Sequence, residues 1–183
     1  MTILVAALVG GVAYLIIVSN PCNGFPFPST SSGTVLAEHF HSLLLIFVND
    51  QQINLPTNIG EGDSGACTQP LHVHQTQPST NVIHIESPIL QNYTLNDFLA
   101  VWKATPGMAG PKPAAITSQQ LFNYTAGNGY EIRMSVNGQH SAVFGSLVLQ
   151  SHMTIVIVYG KTSGTQWDVY QAKSAQPWQY SGY

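Results

Sequence analysis

The chain is expected to be an α+β protein, mostly β, with a hydrophobic N-terminal helix followed by a β-rich, sandwich- or barrel-like globular domain carrying two short helices. Three observations predict this. The first eighteen residues, MTILVAALVGGVAYLIIV, carry no charge. From Ser42 onward, short apolar or alternating runs recur between turn-forming pairs such as Asn49-Asp50 and Asn137-Gly138. Finally, Thr94-Leu95-Asn96-Asp97 has the form of a capping box, with an acid three residues after a Thr N-cap.

Taken in order, Met1 to Asn20 as a helix would be about 27 to 30 Å long, enough for a hydrocarbon core. Asn20-Pro21 would stop it. Gly10-Gly11 would allow close helix packing. Residues 21–34 (PCNGFPFPSTSSGT) are rich in Pro, Ser, Thr and Gly and are expected to form a linker. The globular domain is then residues 35–183. Ser42–Val48 and Gln52–Leu55 should form a hairpin across Asn49-Asp50, and Leu71–Gln75 and Asn81–Glu86 two further strands bracketing Pro78-Ser79. The capped helix runs through Phe98, Leu99, Val101 and Trp102 to Pro106-Gly107.

A second short helix is expected after Thr117-Ser118, through Gln119, Leu121 and Phe122. Tyr130–Val136 alternates polar and apolar residues, Asn137-Gly138 turns the chain, and Val143–Leu149 is expected as a strand. Met153–Tyr159 is apolar on both faces and should lie at the centre of the sheet. The aromatic, polar tail Thr165–Tyr183 is expected to be a final strand and an exposed arm.

Charge excludes several functions. Charged residues make up 7% of the chain, where a soluble domain carries about 25%. All five Lys and Arg residues follow position 102 and none are clustered, so there is no footprint for nucleic acid. Hydrophobic residues at 44% argue against disorder. Ser, Thr, Asn, Gln and Tyr replace charge at the surface, as suits a protein outside the cell or within an assembly.

Seven histidines accompany those five basic residues. His39-Phe40-His41 and His72-Val73-His74 are HxH pairs at predicted strands, and His84 precedes Glu86 in VIHIE. Residues i and i+2 of a strand share a face, so each HxH presents two imidazoles side by side. His39, His41, His72, His74, His84 and Glu86 are therefore the candidate metal ligands. Imidazole suits a transition metal ion, with copper favoured and zinc possible. His140 and His152 have no such spacing.

HFHSLLLIFVND, CTQPLHVHQ, NVIHIESP and YTLNDFLAVW, in that order, resemble an uncharacterised extracytoplasmic domain of archaea and bacteria with paired HxH motifs. That resemblance implies a metal-binding fold with His39, His41, His72, His74 and His84 as ligands. It supplies no reaction, and Gln75 stands where the family has an acid. The apolar N-terminus is similar to type IV pilins and related archaeal filament proteins, whose leader is cut ahead of the hydrophobic segment; an uncleaved anchor is the alternative. A cupin-like metalloenzyme also uses an HxH and a Glu, but eleven residues separate His74 from Glu86, far more than a cupin has. Ser/His/Asp order, GxSxG, phosphate-loop and CxxC motifs are absent, so the balance falls against an enzyme.

Cys22 and Cys67 are the only cysteines. They would form one disulfide in an oxidising compartment, the alternative being Cys67 as a soft metal ligand near His72. Asn92-Tyr93-Thr94 and Asn123-Tyr124-Thr125 are glycosylation sequons. The expectation is a cell-surface, glycosylated protein, a pilin-like filament subunit assembling with itself through the N-terminal helix. Its alternative is a membrane-anchored extracytoplasmic copper-binding protein.

Overall fold

Runs of β-branched and aromatic residues favour extended backbone, and they dominate this chain from Glu38 to Lys161. The computed structural model describes residues 3–9, 12–18, 22, 24–30, 33–61, 67–74, 81–107, 113 and 115–178. Its eleven strands and two α-helices confirm a mostly β, α+β protein. Gly10-Gly11, Gln75 and Pro78-Ser79 lie outside the described residues.

The expected N-terminal helix is replaced by two strands, β1 (Ile3–Val9) and β2 (Val12–Val18), paired antiparallel from Ile3↔Val18 to Val9↔Val12. Half of these fourteen residues are Val or Ile, whose branched Cβ disfavours helix and favours strand. The apolar character was legible; the periodicity that separates helix from strand is missing from an all-apolar run. Among the described residues no helix is long and apolar enough to cross a membrane.

One seven-stranded mixed sheet organises the rest, in place of the expected sandwich or barrel. Its strands are β3 (Glu38–Val48), β4 (Gln51–Ile53), β5 (Leu71–His72), β6 (Val82–Ser87), β9 (Tyr130–Val136), β10 (Gln139–Ser141) and β11 (Met153–Lys161), in the order β10-β9-β11-β3-β6-β5 with β4 also on β3. β11 is central, as its two apolar faces require, lying parallel to β3 and antiparallel to β9. The two hairpin turns fall where expected, with Asn49, Asp50, Asn137 and Gly138 all at positive φ.

The two faces of the sheet are unequal. Leu44, Ile46, Ile83, Ile85, Ile155 and Ile157 point into the main core under α1 (Leu95–Ala104). The capping box forms as predicted: Thr94 N–H donates to Asp97 Oδ2 at 2.7 Å and Asp97 N–H to Thr94 Oγ1 at 3.3 Å. On the opposite face, α2 (Trp167–Ser174) covers Phe47, Val156 and Val158 through Tyr170. Tyr170 also donates its hydroxyl to Asp50 Oδ1 at 2.7 Å.

Helix α2 stands where the sequence suggested a strand and an arm. Only Tyr170 and Ser174 of its eight residues are buried, so no apolar stripe marks it. The helix expected after Thr117 is instead a small ribbon of β7 (Gln120–Leu121) and β8 (Tyr124–Thr125). Thr117 Oγ1 accepts from the Gln119 and Gln120 amides as an N-cap would, but Phe122 at φ 54° reverses the chain. Val143–Leu149 holds a 3-10 turn, Phe144–Ser146, rather than a strand; Gly145 lies against the end of the Asn96 side chain, which would have to move to admit a Cβ.

The segment expected as a linker is laced onto the domain. Cys22 is bonded to Cys67 with Cα atoms 5.4 Å apart. Thr30 N–H donates to Thr68 O at 2.8 Å, and Phe27 N–H to Gln69 Oε1 at 3.2 Å. Phe25 and Phe27 pack against the core.

Candidate metal centre

The sheet brings the histidines together by register. His41 on β3 stands opposite His84 on β6, which stands opposite His72 on β5. A row of three imidazoles thus crosses three neighbouring strands. His39 is opposite Glu86 in the next row. Two-residue periodicity puts these side chains on the face that α2 covers further along, and α2 stops short of them.

All six residues singled out in the sequence meet here. His72, His74, His84 and Glu86 form one group able to hold a metal ion, and His39, His41 and Glu86 a second; within each, the donor atoms lie within 4.8 Å of one another. His72 and His84 are buried, with 0% and 2% exposure. The ring centroids of His41 and His84 are 4.4 Å apart, and those of His74 and His84 4.2 Å. His140 lies on β10 at the far edge of the sheet, and the His152 ring packs 5.0 Å from Trp178.

Hydrogen bonds fix the orientation of two rings. His72 Nδ1 donates to Gln69 O at 2.9 Å, and His74 Nδ1 bonds Glu61 Oε1 at 2.6 Å. Their Nε2 atoms are left facing each other at 3.4 Å. Two nitrogen lone pairs cannot converge unaided, so a proton or a cation must lie between them. Two donors on a tetrahedral ion at about 2.1 Å would be about 3.4 Å apart, so the spacing fits a metal.

Nothing in the sequence marks Glu61 as part of the site. It sits in the Gly-rich loop before Cys67, with no spacing that ties it to a histidine. The loop is held along β5 by Val73 N–H to Ile59 O at 2.9 Å and Gln69 N–H to Gly60 O at 2.8 Å. The carboxylate–histidine pair it completes is the usual outer support of a metal ligand.

Electrostatics favour the ligand state. Burial, with His84 adding to it, pushes the His41 imidazole down to about 4. Burial likewise lowers His72 to about 4 and His84 below its ordinary value. The neighbouring His84 holds the Glu86 carboxyl down at about 2. Burial would raise Glu61, but the bond to His74 and the surrounding imidazoles outweigh it and lower its carboxyl; the same bond raises His74. At neutral pH burial keeps His41, His72 and His84 as neutral imidazoles beside ionised Glu61 and Glu86, the forms that bind metal, whereas His74 holds its proton more tightly and must release it to become a ligand.

The disulfide removes Cys67 from the donor set. The fold and cluster define a β-rich domain with a histidine/carboxylate centre able to hold a metal ion. Comparison with protein-family models, curated proteins and solved structures finds no match to this chain.

Proposed function

We propose that the chain is a cell-surface metal-binding protein whose inner site, His72, His74, His84 and Glu86, takes a divalent transition ion. The carrying observation is the pair of Nε2 atoms facing at 3.4 Å with both Nδ1 atoms already committed. Three imidazoles and a carboxylate are borderline-to-hard donors, which suits Cu(II) above Zn(II) in affinity and gives no thiolate for Cu(I). The disulfide supports an oxidising compartment. Asn92 and Asn123 are both exposed, as glycan acceptors need to be.

Elemental analysis of protein purified without added metal, beside a His72→Ala/His74→Ala variant, tests the reading. One or more equivalents of copper or zinc in the parent and loss in the variant are expected. A parent that neither carries nor takes up a transition ion overturns it.

A second reading is supported by the apolar ribbon β1–β2. A two-stranded sheet has two edges of unpaired N–H and C=O groups, so an apolar ribbon of this kind enters a membrane or another apolar phase only with those edges paired to further strands, such as those of other copies. In that reading the first eighteen residues attach the domain to a membrane or build it into a filament. Negative-stain microscopy and sedimentation with and without detergent test it; a monomer indifferent to detergent overturns it.

A further inference from the structure

Glu86 belongs to both groups of candidate ligands. Its Oε1 is 3.2 Å from His39 Nε2 and 3.8 Å from His84 Nδ1. On one side lie three imidazoles from β5, β6 and the residues just after β5; on the other lie the two imidazoles of β3. Because His39 is directly opposite Glu86 and His41 directly opposite His84, the second set is carried by the ladder itself rather than by a loop.

We propose that this is a two-metal centre in which Glu86 bridges an inner ion, held by His72, His74 and His84, and an outer ion held by His39 and His41. The inference rests on the metal-binding reading above and extends it from one ion to two. A shared carboxylate is a common link where two cations sit about 3.5 to 4 Å apart, and here Glu86 Oε1 already faces one imidazole of each set. Donor atoms within each set lie within 4.8 Å of one another and the sets share Glu86, so ions held by the two sets would be near neighbours.

The two positions differ in access. The inner set has four protein donors, which completes a tetrahedral ion and leaves no place for a substrate. The outer set has three, and the His39 side chain is 53% exposed. An outer ion therefore keeps a position open to solvent, where water or a small anion binds. Charge points the same way: two divalent ions face only Glu86 and, behind His74, Glu61, so an anion from solution completes the balance. The outer ion is the exchangeable one.

Calorimetric titration of the metal-free full chain with Zn(II) at neutral pH, repeated for His39→Ala and for His39→Ala/His41→Ala, tests this. The parent should bind two equivalents. His39→Ala, at a half-exposed position, should keep the fold and weaken only the second equivalent, by more than about tenfold; the double variant should bind one. A single equivalent in the parent overturns the bridged pair and leaves the mononuclear reading standing. Two equivalents unchanged in either variant also overturn it, because the second ion would then lie elsewhere. No binding at all removes both readings. With Cu(II), the second equivalent should add less paramagnetic resonance signal than the first, since ions sharing a carboxylate couple. Full, additive signal intensity overturns the shared bridge.

Discussion

Glu61 Oε1 lies 2.6 Å from His74 Nδ1 and aims the opposite nitrogen of that ring at His72. Replacing the carboxylate by an amide keeps the shape and removes the charge that makes His74 a better donor. Glu61→Gln should fold normally and bind Zn(II) about 10- to 100-fold more weakly, the usual cost of an altered outer partner. Equal affinity in calorimetry would show that Glu61 does not support the site.

The metal-free protein should lose stability in mild acid. The folded state holds His72 near 4, against about 6.5 unfolded. Between those values the unfolded chain binds the extra proton, so stability is full above about pH 6.5 and falls as pH drops toward 4. His72 alone would account for about 3 kcal/mol across that window. Urea unfolding at pH 7, 5.5 and 4.5 measures it. A flat stability profile would contradict it, and saturating Zn(II), which binds only deprotonated ligands, should add most stability at pH 7 and make the acid loss at least as steep.

The legible and illegible parts of the sequence divide along physical lines. Short apolar runs bounded by turn residues mark β3, β6 and β11, alternation marks β9, and the Thr94/Asp97 pair marks α1, because each is a local signal. The six site residues were found because strand periodicity turns HxH spacing into a shared face. What escaped depends on contacts distant in sequence. Glu61 reaches His74 only through the loop folded along β5. Helix α2 is held by Tyr170 on Phe47 and Asp50, over a hundred residues earlier. β1 and β2 escaped for a different reason, since an unbroken apolar run carries no period.

Breaking the Cys22–Cys67 bond should cost stability without touching the metal. The bond closes a separation of 45 residues, and loop entropy of that size corresponds to about 4 kcal/mol. Cys22→Ser/Cys67→Ser should lower the denaturant midpoint accordingly while binding the same number of Zn(II) equivalents. A lost equivalent would mean that the cysteines, not the histidines alone, shape the donor set.

Gly60 joins the fold to the site. It sits at φ +74°, and a Cβ there would run into the Leu71 carbonyl, meet a Val101 methyl at 2.9 Å and come within 3.1 Å of His72 Cβ. Its N–H donates to Thr105 Oγ1 at 2.9 Å, so the backbone has little room to yield. Gly60→Ala should therefore destabilise by about 1–3 kcal/mol. The displaced loop carries Glu61, so the variant should also bind Zn(II) more weakly than Glu61→Gln, because His72 and His74 would both shift. A Gly60→Ala protein that is destabilised but binds metal as the parent does would mean that the loop tethers β5 without positioning the ligands.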